Sequence, residues 1–148
     1  MVTGLPNLPP EVFLDTSFVV ALAVRTDENH ARALKVSQIL RVSRTRLITT
    51  QAILLEVGNA FAKQPFREAA ITIQGNLAVD PHVSIFPLSE PLLRRAWSLF
   101  AERKDKDWGI TDCLSFVVMR DLGLTLGLTA DHHFEQAGFR AILREGDV

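Results

Sequence analysis

Residues 125–143 read TLGLTADHHFEQAGFRAIL, and they contain a strand, a helix and a second strand in succession. The short apolar runs TLGLT (125–129) and FRAIL (139–143) are typical of buried strands. The segment DHHFEQAG between them is typical of a helix that closes on a glycine. This stretch therefore predicts one unit of a sheet in which strands alternate with helices.

The same alternation is found along the rest of the chain. Further strand candidates are VFLD (12–15), RLITT (46–50) and HVSIFPL (82–88). Segments with helical spacing separate them: DENHARALKVSQILRVSR (27–44), QAILLEVGNAFAK (51–63), PFREAAITIQGNLAV (65–79), EPLLRRAWSLFAERK (90–104) and TDCLSFVVMRDLG (111–123). Strands alternating with helices imply a parallel sheet covered on both faces. We expect a single-domain, three-layer α/β/α fold with a mainly parallel central sheet.

The composition is that of an ordinary globular domain. The chain has 148 residues, of which 47% are hydrophobic and 22% charged, enough for one compact domain with a sizeable core. We expect residues 1–10, which are rich in proline, to form a flexible leader, and residues 11–148 to form the domain. The apolar runs are shorter than the ~20 residues of a membrane-spanning helix, and the start of the chain lacks signal-peptide features, so a cytoplasmic location is expected.

The net charge of −1 argues against a protein that binds nucleic acid through a strongly basic surface. It does not exclude an enzyme that acts on nucleic acid. A site that binds phosphate through divalent cations needs acidic residues, because the cations carry the positive charge.

Four acidic residues occupy positions where an α/β fold builds its sites. Asp15 and Asp131 each follow a predicted strand, Asp112 lies in the first turn of a helix, and Glu56 lies one turn into another. Ligands bind beyond the carboxyl ends of parallel strands, so these carboxylates can converge on one pocket. Their mutual repulsion favours a divalent cation, and oxygen ligands favour Mg²⁺ or Mn²⁺. The pattern indicates metal-dependent phosphodiester cleavage.

Each of these acids also has a simpler structural interpretation. Asp15 and Asp131 are suited to cap the helices that follow them, Asp112 complements a helix dipole, and Glu56 is typical of a solvated helix residue. His132 and His133 are adjacent and lack the i, i+4 spacing of helical zinc sites. Burial, helix capping and contact with RNA phosphate all remain open for the two histidines.

The segments FLDTSFVVAL, LLEVGNAF, TDCLSFVVM and LTADHHFEQAGF resemble, in order and spacing, those of PIN-domain proteins. The likeness is to the small VapC-like toxin ribonucleases of bacterial toxin–antitoxin systems. It implies that Asp15, Glu56, Asp112 and Asp131 form a catalytic pocket for Mg²⁺ or Mn²⁺, with RNA as substrate. It also implies a small antitoxin partner and a homodimer.

The resemblance suggests supporting roles for several hydroxyl groups. Thr16 and Ser17 are expected to support Asp15. Thr111 and Ser115 are expected to orient water or phosphate at the cation.

Three further positions qualify the resemblance. Asp107 is a candidate additional acid at the rim of the pocket. Ala130 and Gly109 replace larger or hydroxyl-bearing residues of similar proteins. The resemblance therefore does not determine the local geometry beside the acids.

Basic residues offer candidate contacts to RNA. Arg41, Arg44 and Lys63 are expected either to bind phosphate or to form an ordinary solvated surface.

Two other functions are compatible with the acidic pattern. One is a non-catalytic PIN-like module that binds RNA or protein. The other is a phosphatase with Asp15 as nucleophile, although that chemistry usually places a second acid two residues later, where this chain has Ser17.

Overall fold

A computed structural model describes residues 8–146. The central sheet has five strands, all parallel, in the order β3-β2-β1-β4-β5. The strands are β1 (Glu11–Leu14), β2 (Arg46–Thr50), β3 (Val83–Phe86), β4 (Leu126–Leu128) and β5 (Arg140–Ala141).

Helices connect successive strands. They are α1 (Thr16–Ala23), α2 (His30–Ser43), α3 (Gln51–Ala60), α4 (Arg67–Val79), α5 (Glu90–Glu102), α6 (Ile110–Leu122) and α7 (His132–Gln136), and a 3₁₀ turn at Ile142–Arg144 follows β5. Two helices are followed by a glycine with positive φ: Gly123 after α6 and, as expected, Gly138 after α7. Within residues 8–146, no helix has both the length and the apolar character needed to cross a bilayer.

Helices cover both faces of the sheet. On one face, Phe13 of β1 contacts Phe134 of α7, which in turn packs edge-on against Phe116 of α6 with ring centroids 5.0 Å apart. Phe13, Phe116 and Phe134 are fully buried. On the other face, side chains of β1 and β2 border a groove formed with α1, α2 and α4. The expected three-layer α/β/α fold with a parallel sheet is confirmed.

The sequence patterns also located most of the elements. The strand expected over FRAIL is limited to Arg140–Ala141, because the chain turns into the 3₁₀ segment at Ile142. Residues 1–7 of the expected leader lie outside the described residues. Residues 8–10 are attached to the domain, since Leu8 packs on the core and the Pro10 carbonyl accepts a hydrogen bond from the Arg46 amide.

The strand order places a crevice between β1 and β4. From β1 the chain proceeds to β2 and β3 on one side, then returns to β4 and β5 on the other. Such a reversal leaves a gap beyond the carboxyl ends of the two central strands, where α/β proteins bind their ligands. Leu14 and Leu128 are paired in the register of these strands, so the residues that follow them emerge side by side.

Candidate functional site

Asp15 lies at the carboxyl end of β1 and is almost completely buried, with 6% of its surface exposed. Its Oδ2 atom accepts hydrogen bonds from Ser17 Oγ at 2.8 Å and from Thr129 Oγ1 at 2.7 Å. Burial raises the pKa of Asp15 to about 6, although these hydrogen bonds lower it, and the charge of Glu56 raises it further. Ser17 therefore has the supporting position expected from the sequence.

Thr129 joins the ends of β1 and β4. Its hydroxyl, fully buried, donates to Asp15 and accepts from the backbone N–H of Asp131 at 3.0 Å. Ser17 Oγ accepts from the backbone N–H of Ala130 at 2.9 Å. The sequence analysis did not single out Thr129, although its place directly after a buried strand and two residues before Asp131 was the available signal.

Glu56 lies on α3, and Thr16 holds its carboxylate by donating from Oγ1 to Oε1 at 2.6 Å. Burial raises the pKa of Glu56, hydrogen bonds from Thr16 and Thr111 lower it, and the charges of Asp112 and Asp131 raise it. The expectation that Thr16 supports Asp15 is therefore corrected. Thr16 begins α1, and its side chain points to α3, whereas that of Ser17 returns to the strand end.

Asp112 lies in the first turn of α6 and is connected to α7. Its Oδ2 atom accepts from the backbone N–H of Gly109 at 3.1 Å and lies 2.9 Å from Nδ1 of His133. Burial and the charge of Asp131 raise the pKa of Asp112, against the effect of His133. Gly109 thus contributes through its backbone, a role that does not require the larger side chain expected there.

Asp131 caps α7. Its Oδ1 atom accepts from the backbone N–H of His133 at 2.9 Å, and its own N–H is held by Thr129. Ala130 contributes through its backbone N–H, as Gly109 does. The small side chains at both positions are therefore compatible with the local geometry.

The four predicted acids lie close enough to affect one another. The charge of Glu56 raises the pKa of Asp15, and the charge of Asp131 raises the pKa values of Glu56 and Asp112. Asp15, Asp112 and Asp131 each cap a helix or a loop amide with one carboxylate oxygen. These acids can therefore cap a helix or a loop with one carboxylate oxygen and still offer the other oxygen to a ligand.

The second carboxylate oxygens determine what the pocket can bind. Within residues 8–146, no donor contacts Asp15 Oδ1, Asp112 Oδ1 or Asp131 Oδ2. Arg32 Nε is the only fully buried side-chain polar atom of this part of the chain that lacks a partner, so the three oxygens are not sealed from solvent. Burial and neighbouring carboxylates raise the pKa values of Asp15, Glu56 and Asp112, and a set of carboxylate oxygens of this kind fits a hard divalent cation such as Mg²⁺ or Mn²⁺.

Nitrogen atoms also border this pocket. Asp131, His132 and His133 each offer a ligand atom, and the three atoms lie within 4.8 Å of one another. The side chain of His132 is 56% exposed and that of His133 is 19% exposed. His133, whose role the sequence left open, is thus positioned between the acids of α6 and α7.

The other supporting candidates have different environments. Thr111 contacts Glu56. Ser115 is fully buried and its hydroxyl donates to the carbonyl of Thr111 at 3.0 Å, a position suited to fixing the first turns of α6 rather than to contacting a ligand. Asp107 is exposed in the loop before α6.

The basic candidates lie away from the acids. Arg41 and Arg44 are at the carboxyl end of α2, beside the amino ends of the strands, where β2 begins. Asp15 and Asp131 follow the carboxyl ends of their strands. The structure therefore does not bring these two arginines to the acidic pocket. Lys63 is exposed just beyond α3, the helix that carries Glu56.

Arg41 and Arg44 border the groove between α1, α2, α4 and the sheet, which has a volume of about 850 Å³. Its lining is mostly apolar and includes Phe18, Leu22 and Leu77. The groove is distinct in chemistry from the acidic pocket.

Comparison with known proteins identifies the family of the chain. The family model described as "PIN domain" matches residues 12–140. Two curated relatives, both named 23S rRNA-specific endonuclease VapC20, come from Mycobacterium tuberculosis strains CDC 1551 / Oshkosh and ATCC 25618 / H37Rv. Each is 26% identical over 129 residues, which are 86% of this chain and 95% of the relative.

The fold is likewise similar to that of a solved toxin. The crystal structure of Mycobacterium tuberculosis VapC20, titled a sarcin-ricin loop cleaving toxin, has a TM-score of 0.75 and 25% sequence identity. The similarity covers 86% of this chain and 95% of that one.

Proposed function

Because the chain belongs to the PIN domain family, we propose that it is an endoribonuclease that hydrolyses RNA phosphodiester bonds with Mg²⁺ or Mn²⁺, and that it is the toxin of a toxin–antitoxin system. One observation carries the proposal. Acids from the ends of β1 and β4 and from α3 and α6 lie close to one another, and among residues 8–146 no donor bonds the second carboxylate oxygen of Asp15, Asp112 or Asp131.

Asp15, Glu56, Asp112 and Asp131 are the residues that would hold the cation. Bound there, a divalent cation supplies charge neutralisation at the phosphate and lowers the pKa of a water molecule that attacks it. The protein's own part is to hold the ligands in place: Thr129 and Ser17 fix Asp15, and Thr16 fixes Glu56.

The RNA substrate requires positive charge near the pocket, since phosphate contacts supply much of the affinity for nucleic acid. Lys63 lies just beyond α3, the helix that carries Glu56, and is proposed to contact the RNA backbone. Arg41 and Arg44 would contact only RNA that is long enough to reach from the acids to the amino ends of the strands. Since the relatives are named as 23S rRNA-specific, ribosomal RNA is the first substrate class to test.

The antitoxin partner is proposed to use the groove bordered by Arg41 and Arg44. An apolar segment with acidic side chains would match its lining and its rim. A homodimer is proposed through α5, where Trp97 and Phe100 form an exposed aromatic pair, with 54% and 43% of their surfaces accessible. The α3 region is not proposed as the dimer contact, because Val57 and Phe61 are buried in the core.

A phosphatase that uses Asp15 as nucleophile is less compatible with the site. Two residues after Asp15, where such enzymes usually have a second acid, Ser17 donates a hydrogen bond back to Asp15. The non-catalytic alternative is separated from the nuclease by a direct assay of RNA cleavage.

We expect the purified protein to cleave ribosomal RNA when Mn²⁺ or Mg²⁺ is present and to stop when EDTA removes the cation. The physical reason is that the clustered carboxylates alone repel phosphate. Cleavage is followed on denaturing gels, and the 5′ and 3′ end groups of the products are identified by mass spectrometry. Cleavage that continues unchanged in EDTA, or binding of RNA without cleavage under every cation condition, would contradict the proposal.

A further inference from the structure

His133 contacts two of the proposed cation ligands through two different atoms. Its side-chain Nδ1 lies 2.9 Å from Asp112 Oδ2 and 3.4 Å from Asp131 Oδ1. Its backbone N–H donates to Asp131 Oδ1 at 2.9 Å. Among residues 8–146, no other side chain forms a hydrogen bond or an ion pair with both carboxylates.

The contact fixes which ring nitrogen of His133 carries a proton. An ionised carboxylate has only acceptor sites, so the nitrogen 2.9 Å from Asp112 Oδ2 must be the one that bears hydrogen. The ring is mostly shielded, with 19% of the side chain exposed, so the water that would compete for this contact is limited.

The contact also fixes which carboxylate oxygen faces the pocket. Oδ2 of Asp112 is held from two sides, by the Gly109 amide and by His133, which restricts rotation of the carboxylate. The backbone of His133 holds Oδ1 of Asp131. In the part of the chain that the structure describes, neither Oδ1 of Asp112 nor Oδ2 of Asp131 has a hydrogen-bond donor. Partners of this kind, which hold a ligand without touching the cation, typically change metal affinity about 10- to 100-fold when they are removed.

We propose that His133 is a positioning residue that sets the orientation of Asp112, and with it the affinity of the pocket for its divalent cation. The proposal rests on the proposed function of the acidic pocket. Direct coordination by a histidine is the competing arrangement, because ligand atoms of Asp131, His132 and His133 lie within 4.8 Å of one another. Nδ1 of His133 already bonds a carboxylate, so this nitrogen is occupied and coordination by His133 would have to use Nε2.

The test measures Mn²⁺ binding to protein freed of cations, by isothermal titration calorimetry, for the full chain and its variants. His133→Leu keeps a similar volume and removes the donor, whereas His133→Asn keeps an N–H close to the position of Nδ1. His82→Asn is the matched control, because His82 also lies near an aspartate, 3.5 Å from Asp80, at the opposite edge of the sheet. Thermal unfolding in EDTA reports whether each variant is folded.

We expect His133→Leu to weaken Mn²⁺ binding at least about tenfold, His133→Asn to recover most of the affinity, and His82→Asn to have no effect. Equal affinity of wild type and His133→Leu would overturn the proposal. So would an equal loss in His132→Asn, or a directly bonded nitrogen in the pulsed EPR spectrum of wild type with Mn²⁺ that disappears in His133→Asn, because both indicate coordination by histidine.

If His133→Leu unfolds in EDTA, the test relies on His133→Asn. A loss of Mn²⁺ affinity in this folded variant would overturn the proposal, because asparagine keeps an N–H close to the position of Nδ1. Failure of the proposed function is distinguishable. A wild-type protein that binds Mn²⁺ in a His133-dependent manner but leaves RNA intact would refute the nuclease and not the positioning role.

Discussion

Replacement of Asp112 by asparagine is expected to lower the rate of RNA cleavage by about 10³-fold, because a carboxylate at the cation contributes several kcal/mol and each 1.36 kcal/mol changes the rate about tenfold. Asparagine keeps the shape of the side chain and an oxygen for the Gly109 amide, so α6 retains its first turn. The change therefore removes mainly charge from the pocket. Single-turnover cleavage of a ribosomal RNA fragment at saturating Mn²⁺ measures the effect.

Asp121 provides the control on the same helix. It lies near the carboxyl end of α6, is half exposed and pairs with Arg95 through two hydrogen bonds of 2.6 and 2.8 Å. Asp121→Asn should leave the cleavage rate unchanged. Equal rates for wild type and Asp112→Asn would mean that Asp112 does not participate in catalysis, and equal losses in both variants would indicate a general effect of charge on RNA binding.

Replacement of Asp15 by asparagine is expected to abolish cleavage and yet stabilise the protein in EDTA at pH 7. The carboxylate is ionised at this pH although it is buried, and a pKa raised from 3.8 to about 6 corresponds to a cost of about 3 kcal/mol in folding free energy. Asparagine removes the charge and remains a good helix N-cap. Because its amide oxygen is a weaker acceptor for Thr129 and Ser17, we expect a net gain of about 1–3 kcal/mol. Urea unfolding followed by circular dichroism measures it.

The pH dependence of this difference has a definite sign. Below pH 3.8 Asp15 is protonated in both the folded and the unfolded chain, so its charge has no effect on stability. As the pH rises from 3.8 through about 6, the unfolded chain gives up the proton more readily than the folded chain, and the wild type loses stability relative to the variant. The advantage of Asp15→Asn should therefore appear across this window and stay constant above it.

Saturating Mn²⁺ should reduce or reverse the advantage of Asp15→Asn, because a cation bound to the folded state stabilises the wild type. Asp121→Asn should show the opposite sign in EDTA, since hydrogen bonding to Arg95 lowers the pKa of Asp121. If the wild type is more stable than Asp15→Asn in EDTA at pH 7, the charge of Asp15 does not destabilise the folded protein.

The sequence predicted the fold well because its signals are local. Short apolar runs separated by amphipathic segments specify a parallel sheet, and acids that follow two of these runs reach the same edge. Asp15 and Asp131 could thus be placed near one another before any coordinates were known. The convergence of Glu56 and Asp112 on them was anticipated in the same way, from their positions near helix starts.

Features that depend on side-chain direction or on which edge a loop occupies were not predicted. Thr16 and Ser17 are adjacent, yet one holds Glu56 and the other holds Asp15, a division that requires the packing of α1 against α3. Thr129 resembles any threonine at a strand end until its partner across the sheet is known. Arg41 and Arg44 have a favourable charge for RNA. Only the topology shows that they lie at the amino ends of the strands, whereas the acids lie at the carboxyl ends.

The most direct measurement is an anomalous difference map at the manganese edge from crystals of the protein grown with Mn²⁺. We expect a peak bordered by the free oxygens Asp15 Oδ1, Asp112 Oδ1 and Asp131 Oδ2, with Glu56 on its remaining side. A fully occupied peak elsewhere on the protein, with these oxygens still without a cation, would contradict the proposal that the four acids form one cation-dependent site.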